Sequence, residues 1–390
     1  MKIAFYCPNK PLSHPLPSGD QTIARGIHQE LNRLGHRCEE ITEFRSRWFW
    51  KSPARWLEAA VNLLEAYRRT RSFHPDVWLS YHTYYKSPDV LGPYICRLQK
   101  IPYVLFQPMY GTRRRKERAT RVGFYLNRLA IKASCHVFTN NTDDLEALHR
   151  ILPARSLTYI APGIFPEEFE RNEQAGHAIR NYYDISGRWS LLMSAAMFRA
   201  DVKFDSLIYL FRALALLKHQ RVSFKLLLVG DGPMEKELRR IADELLPGMV
   251  FFAGRVERKN MPAYYSAADL FVFPGLGESL GMVFLEAQAC GCPVVALNTA
   301  GVPQVVLHNK TGLLVDRDGG KSMAEAVISL LENRRRREKL AVNGPLFIHE
   351  QRNLHRNYLQ LSIDLHQIAD SYAGKHHKSK EDLYHLRLGH

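Results

Sequence analysis

The sequence has no run of about 18 apolar residues, the length a helix needs to cross a bilayer. Cysteine is scarce: six thiols in 390 residues, at positions 7, 38, 96, 135, 290 and 292, with no CxxC pair. That spacing excludes a disulfide framework and a structural zinc site, and it fits reduced thiols in a cytoplasmic setting. The first residues, Met1 to Pro8, lack a basic n-region, and their apolar stretch is too short for a signal peptide. Acidic residues are sparse in one region. Between Arg45 and Lys132 there are 18 basic and 5 acidic side chains, a local excess of 13 within a total of +15. A basic surface of this kind concentrates anions such as phospholipid, nucleic acid or a diphosphate, and it can also be a solvated face without a partner. Hydrophobic residues make up 46% and charged residues 24%, which excludes disorder, collagen and coiled coil as overall classes. At roughly 100–200 residues per domain the chain has room for two domains.

Short apolar strands alternate with helical patterns. Ile3–Cys7, Val77–Ser80, Tyr103–Phe106, His136–Thr139 and Leu157–Ala161 read as strands, and Ile23, Ile27, Leu31 and Leu34 recur at helical spacing before Gly35. The polar stretch Glu170–Gly187 reads as a linker. Strands then resume at Leu191–Ala195, Phe224–Val229, Val250–Ala253, Leu270–Phe273, Val294–Leu297 and Gly312–Val315. Helices are expected at Phe204–Lys218, Met234–Leu246, Met261–Ala267, Leu280–Cys290 and Pro303–Leu307. This is an α/β chain with two doubly wound parallel sheets, in which ligands bind beyond the carboxyl ends of strands. The expected divisions are 1–170, 171–352, a helical region 353–372 and a frayed polar tail 373–390. His376-His377 in that tail is a weak metal-binding pair.

Gly230-Asp231-Gly232-Pro233 ends a strand and opens a helix, but no GK[ST] follows and Glu235 takes the last position of GxGxxG. By itself it is a tight turn. Pro274 to Ala287 is the strongest signal: a Gly-rich turn that enters a helix apolar nearly all round, as buried helices are. Glu286 inside that helix is anomalous, because a buried carboxylate is costly unless paired or hydrogen-bonded. Glu278 stands just before the helix, where its positive end favours a carboxylate. Helix capping by Glu278 and a structural salt bridge for Glu286 are the plain alternative.

Glu278 and Glu286, with seven residues between them and followed by Ala287, Gly291, Pro293 and Val294, resemble the Glu-x7-Glu signature of retaining family-4 glycosyltransferases. Ala300–Pro303, Lys310–Val315, Gly230–Pro233, Phe252–Val256 and Tyr264–Leu270 continue the pattern through the second domain. Ser18-Gly19-Asp20, Leu34-Gly35-His36 and Asp76-Val77 extend it more loosely into the first. The resemblance implies a GT-B fold, two Rossmann-like domains facing across a cleft, with a nucleotide-diphosphate sugar as donor substrate and no cofactor or metal. It implies that Glu286 accepts from ribose hydroxyls, that Glu278 holds sugar hydroxyls, and that amides at Gly281, Met282 and Val283 face the donor. Arg255 and Val256 would border the base, with Gly232 nearby, and Gly19 would let first-domain amides approach the diphosphate. A basic pair, Arg199 and Lys203, would stabilise the leaving diphosphate, so the catalytic set is Lys203, Arg199 and Glu278.

The chain departs from the family in places. Gln107 replaces the His that many members carry after the fourth strand, and Gln is no general base. On the acceptor side Gln107 and His82 are the candidates. Asp316-Arg317-Asp318 spells DxD but is read as accidental. Trp48-Phe49-Trp50 and the helix Arg55–Phe73, with Trp56, Leu57, Ala60, Leu64 and Tyr67 on one side, fit a peripheral membrane surface or, equally, a core-facing helix beside a basic acceptor groove. The expected function is sugar transfer to a glycan or lipid-linked acceptor, in cell-surface polysaccharide or glycolipid synthesis, at the inner face of a membrane. A nucleotide-sugar epimerase of the same fold is the nearest alternative. A glycoside hydrolase and a basic nucleic-acid-binding protein are more distant, and no nucleic-acid reader motif is present.

Overall fold

The computed structural model describes residues 1–15, 19–220 and 222–387, except the side chains of 218, 219 and 375–387. Ser18 and the side chains of His376 and His377 lie outside the described residues. The chain divides into two compact units, Met1–Ala161 with the chain from His355 on, and Pro162–Leu354. The division thus falls earlier than 170/171.

The first unit runs β1 (Lys2–Tyr6), α1 (Gly19–Arg33), β2 (Arg37–Thr42), α2 (Pro53–Phe73), β3 (Val77–Tyr81), α3 (Gly92–Gln99), β4 (Tyr103–Phe106), α4 (Arg118–Ala133), β5 (His136–Thr139), α5 (Thr142–His149) and β6 (Leu157–Tyr159). Its parallel sheet has the order β2-β1-β3-β4-β5-β6. The central strands β3 and β4 are buried throughout and mostly apolar because helices cover both faces. β2 was not expected: its Arg-Cys-Glu-Glu-Ile-Thr sequence has no apolar run, which an edge strand tolerates. Glu40 within it accepts the amide of Leu12 at 3.0 Å, and burial pushes its carboxyl up to about 7.

The second unit holds α6 (Glu173–Tyr182), β7 (Ser190–Ala195), α7 (Val202–Ala215), β8 (Phe224–Val229), α8 (Glu235–Leu245), β9 (Val250–Gly254), α9 (Met261–Ala267), β10 (Leu270–Val272), α10 (Met282–Ala289), β11 (Val294–Leu297), β12 (Gly312–Val315), α11 (Lys321–Glu332) and α12 (Arg334–Gln351). α13 (Leu354–Arg387) follows. The second sheet is also parallel, in the order β12-β11-β10-β7-β8-β9.

Three expectations are corrected. The linker 170–187 contains α6, capped by the Asn172 side chain and tied to the unit by an Arg180–Asp269 ion pair at 2.6 Å. Its polar residues face outward while Gly176 lets the helix back onto Ser266. Pro303–Leu307 is only a short 3-10 turn, Val302–Gln304. The tail expected to fray from 373 continues α13 as far as Arg387.

Gly230 and Gly232 lock the turn after β8 against the loop after β7. Both have left-handed φ (142° and 146°), and a Cβ would stand 1.8 Å from the Ala196 carbonyl at Gly230 and 2.6 Å from that of Phe198 at Gly232. Gly230→Ala combines a backbone strain of about 1–3 kcal/mol with a clash against main chain. It should lower the melting temperature by several degrees, read by circular dichroism, while Gly248→Ala, with a left-handed φ but open space around it, lowers it less.

Candidate functional site

In each sheet the strand order reverses once, and a crevice forms where neighbouring strands send their connections to opposite faces. In the second unit that point lies between β7 and β10, adjacent and parallel. The loop after β7 carries Arg199 and leads into α7; the loop after β10 carries Glu278 and leads into α10. Asp201 caps α7 by accepting the Lys203 amide at 2.9 Å, which sets Lys203 on the first turn. The Lys203 ammonium forms an ion pair with the Glu278 carboxylate, both largely buried, and lies 5.5 Å from the Phe273 ring. Arg199 pairs with Asp201 at 3.3 Å. Burial, and next the charge of Arg199, push the Lys203 ammonium down to about 8, against the opposing pull of Asp201. The contacting Glu278 carboxylate also favours the charged form.

The turn from Gly275 to Gly281 owes its shape to glycine. Gly275, Gly277 and Gly281 have left-handed φ, and at Gly281 a Cβ would meet the Phe284 ring at 2.5 Å. Gly281 caps α10, so Met282 and Val283 begin the helix beside Glu278. Gly301 donates its amide to the Glu278 carbonyl at 2.8 Å and fixes the turn from the other side.

Glu286 is 6% exposed in α10. One carboxylate oxygen accepts from Arg258 at 2.7 Å, the other from the Tyr265 hydroxyl at 2.9 Å. Arg258 also pairs with Glu168 at 2.8 Å and lies over the Phe169 ring. This is the salt bridge of the plain alternative: protein groups already satisfy Glu286, although each oxygen keeps further acceptor capacity. Burial raises the Glu286 carboxyl above its ordinary value, while Arg258 and Tyr265 pull it down. Sequence reasoning missed Arg258, Tyr265 and Glu168, yet the anomalous carboxylate itself called for a buried cation nearby. Three residues before Arg258, Arg255 is exposed, and Val256 packs partly against the core. Gly232 buttresses the loop that carries Arg199. Asp318 accepts from the amides of Gly320 and Ser322 at the start of α11, so the DxD reads as a helix cap.

In the first unit the strand order reverses between β1 and β3. His82 directly follows β3 and Gln107 follows β4. Both are buried with left-handed φ (59° and 53°), strained positions of the kind found at functional sites. His82 Nε2 is 3.9 Å from the Asp20 carboxylate, and its Nδ1 is buried without a partner among the described residues. Gln107 accepts from the Tyr81 hydroxyl at 3.1 Å. Cys7, Asn9, Asp20 and His82 line one small cavity. Gly19 opens α1, and a Cβ there would meet nothing within 4 Å among the described residues, so none of their packing demands glycine.

Residues 202–347 match the family model described as glycosyl transferases group 1. Over 200 residues, 49% of this chain and 51% of the relative, it is 34% identical to the GDP-mannose-dependent alpha-(1-6)-phosphatidylinositol monomannoside mannosyltransferase of Mycobacterium tuberculosis. It is 37% identical over 129 residues, 32% of this chain and 31% of the relative, to the D-inositol 3-phosphate glycosyltransferase of Pseudarthrobacter chlorophenolicus. The chain thus spans about half, or less, of the length of these curated relatives. Among solved structures it is similar to a sucrose-phosphate synthase of Thermosynechococcus elongatus (TM-score 0.73, 19% identity, 95% of this chain and 99% of that one). It is also similar to Anabaena HepE in complex with UDP (TM-score 0.74, 16% identity, 94% and 100%). These likenesses establish the GT-B fold, with its two Rossmann-like units.

The Arg258–Glu286 pair gives a pH-dependent expectation. Breaking a buried pair costs about 3–5 kcal/mol, and the exposure of Arg258 on one side reduces that to about 1–3 kcal/mol. Arg258→Gln should therefore unfold earlier at pH 7.5. A carboxylate with a raised folded-state pKa takes up a proton more readily when folded than unfolded, so its penalty shrinks as pH falls. The variant's deficit in melting temperature should narrow at pH 5.5; an equal deficit at both pH values would contradict this account.

Proposed function

We propose that the protein is a retaining, metal-independent glycosyltransferase that moves a sugar from a nucleotide-diphosphate donor to a lipid-linked acceptor at the cytoplasmic face of a membrane. The observation that carries the reading is the Lys203–Glu278 contact at the β7/β10 reversal, with Arg199 on the same loop system. A departing nucleoside diphosphate gains negative charge as the bond to the anomeric carbon breaks. Fixed cations at that point stabilise the transition state more than the ground state. Lys203 and Arg199 would take the diphosphate, and Glu278, released from Lys203, would accept from sugar hydroxyls. The amides of Gly281, Met282 and Val283 would add donors at a helix start. Glu286, held in place by Arg258 and Tyr265, would accept from the ribose, with Arg255 and Val256 beside the base.

For retention, the acceptor oxygen bonds to the anomeric carbon on the face the diphosphate leaves. The electron pair of the broken bond leaves on the diphosphate, which takes the acceptor's proton. This suits an acceptor side where Gln107 offers no base and His82 is the only titratable group of the two. One of the two curated relatives favours a lipid-linked acceptor, since the mycobacterial protein's name specifies a phosphatidylinositol monomannoside, whereas the other's specifies D-inositol 3-phosphate. Exposed apolar side chains on α2 support the same choice. Trp56, Leu57 and Leu64 are 50%, 68% and 60% exposed, and the helix instead faces the core with Ala59, Ala66, Thr70 and Phe73. Tyr67 of that side packs partly against the core and Trp56 meets the Phe49 ring, so the core-facing alternative holds for these two and not for Leu57 or Leu64. Phe49, by contrast, is buried and Trp50 packs on it, which removes both from the membrane surface.

Four measurements test the reading. Incubation with UDP-, GDP- and ADP-sugars and a lipid-linked acceptor should release nucleoside diphosphate with the anomeric configuration kept, in the presence of EDTA. Lys203→Met should lower the rate at least a hundredfold. Loss of activity with chelator, restored by manganese, would refute the metal-independent part. Because Lys203 is charged only below its pKa, nucleoside diphosphate affinity should fall as pH rises past about 8. For the membrane, Arg113 and Arg115 are exposed, whereas Arg114 is held by Glu117 and Tyr85. Replacing Arg113 and Arg115 by Glu should weaken co-sedimentation with anionic vesicles, most visibly at low salt.

A further inference from the structure

On the first unit, α2, α3 and α4 surround an apolar groove of about 490 Å³, within the size range of small-molecule sites. Trp56, Ala60 and Leu63 of α2, Tyr94 of α3, and Leu126 and Leu129 of α4 form its walls. Its one charged residue besides the buried Asp89 is Arg97. Asp89 brings no free charge to the floor. Its two oxygens accept from Ser80, the Tyr103 hydroxyl at 2.8 Å, and the amides of Leu91 and Gly92 at 2.9 and 2.8 Å. Arg97 is exposed, with no carboxylate within ion-pair distance among the described residues. The rim continues the apolar character outward: Leu98 is 71% exposed, and Leu129 61%.

An apolar slot of this size beside an unpaired guanidinium has the complementarity of one ligand class, an acyl chain attached to a phosphate. A bare hydrocarbon would leave Arg97 without an anion, and a free phosphate would leave the slot wet. The slot also lies in the region where basic residues outnumber acidic ones 18 to 5, which attracts anionic lipid from a bilayer surface. We propose that this groove binds a single acyl chain of an anionic bilayer phospholipid, with Arg97 on the headgroup phosphate. It is a lipid site distinct from the sugar-transfer residues and finer than the general membrane contact, on which it rests only for the source of the lipid. A chain seated there would hold the first unit on the bilayer by insertion as well as by charge, so that part of the attachment would resist salt.

The test separates the groove from the bilayer. Dihexanoyl phosphatidylglycerol below its micellar concentration presents the lipid without a membrane, and glycerol phosphate presents the headgroup alone. The protein should bind the first, measured by calorimetry, and not the second. A brominated acyl chain should quench the fluorescence that Trp56→Phe removes. Ala60 and Ala133 line the groove and are both exposed, so Ala60→Phe and Ala133→Phe fill it from outside the core. Each should weaken short-chain lipid binding at least tenfold while keeping the native melting temperature and the low-salt binding to anionic vesicles. Arg97→Glu should weaken the phospholipid at least tenfold but leave uncharged dihexanoylglycerol unaffected. Equal binding by the filled variants, or none by the unaltered protein, overturns the groove proposal. Absence of vesicle binding by the unaltered protein, with the short-chain lipid still bound, overturns the membrane reading instead and leaves the groove standing.

Discussion

The point at which a parallel sheet reverses its strand order is the constraint on which the rest of this chain depends. Only there do two adjacent strands send their following segments to opposite faces, leaving backbone ends and loop side chains to converge on one crevice. The second sheet places the loop after β7 and the loop after β10 at that point, and Lys203 and Glu278 meet there although 75 residues separate them in sequence. The supporting structure serves this meeting. Asp201 caps the helix that presents Lys203, Gly230 and Gly232 let the next loop press against the Arg199 loop, and Gly301 pins the Glu278 turn. A side chain at several of these glycines would collide with main chain, which has nowhere to move.

Glu286 shows how the same helix carries a second charge without unfolding. Ionised carboxylate in an apolar helix is unfavourable until a cation and a hydroxyl reach it. Arg258 supplies the cation from a 3-10 turn and divides its guanidinium between Glu286 and Glu168, while Phe169 covers its face. The planar fork matters here, because an ammonium could not span two carboxylates in fixed directions. The carboxylate is thereby oriented as well as neutralised, with acceptor capacity left on both oxygens.

Where burial dictated residue type, the fold was legible. The strands Tyr103–Phe106, His136–Thr139, Phe224–Val229 and Val294–Leu297 read directly because both faces of each are covered. β2 was hidden because an edge strand can carry charge, and α6 because most of its surface meets solvent. The two glutamates were legible through resemblance, and Glu286 also through its incongruity. Arg258 and Tyr265 were not, since nothing in local spacing announces which distant cation and hydroxyl a buried carboxylate will recruit. The crowding that demands Gly230 and Gly232 was equally invisible, being a property of two loops that meet only in the folded unit.

α2 inverts the usual arrangement of an amphipathic helix, and that inversion bears on what the first unit touches. Helices normally turn their large apolar residues inward. Here the inward side is built largely of Ala59, Ala66 and Thr70, with Phe73 at the end, while Trp56, Leu57, Val61 and Leu64 face outward. Small inward residues let the helix lie close to its sheet, and Thr70 satisfies its hydroxyl by donating to the Ala66 carbonyl at 2.6 Å. Leu63 and Tyr67 add partly buried contacts to the core, and Leu57, Val61 and Leu64 are left outside it. Tyr94, Leu98, Val122, Tyr125 and Leu129 on α3 and α4 add further exposed apolar surface. Isolated exposed apolar residues are ordinary on a protein surface, but a set spread over three neighbouring helices, interleaved with Arg68, Arg69, Arg71 and Arg97, combines two forces that act over different ranges. Charge draws the surface toward an anionic layer across about 8 Å at physiological salt, and apolar burial acts only on contact. Under the function proposed above, such a face would meet a lipid headgroup region, and the acceptor chemistry would be linked to the way the outer helices of the first unit are built.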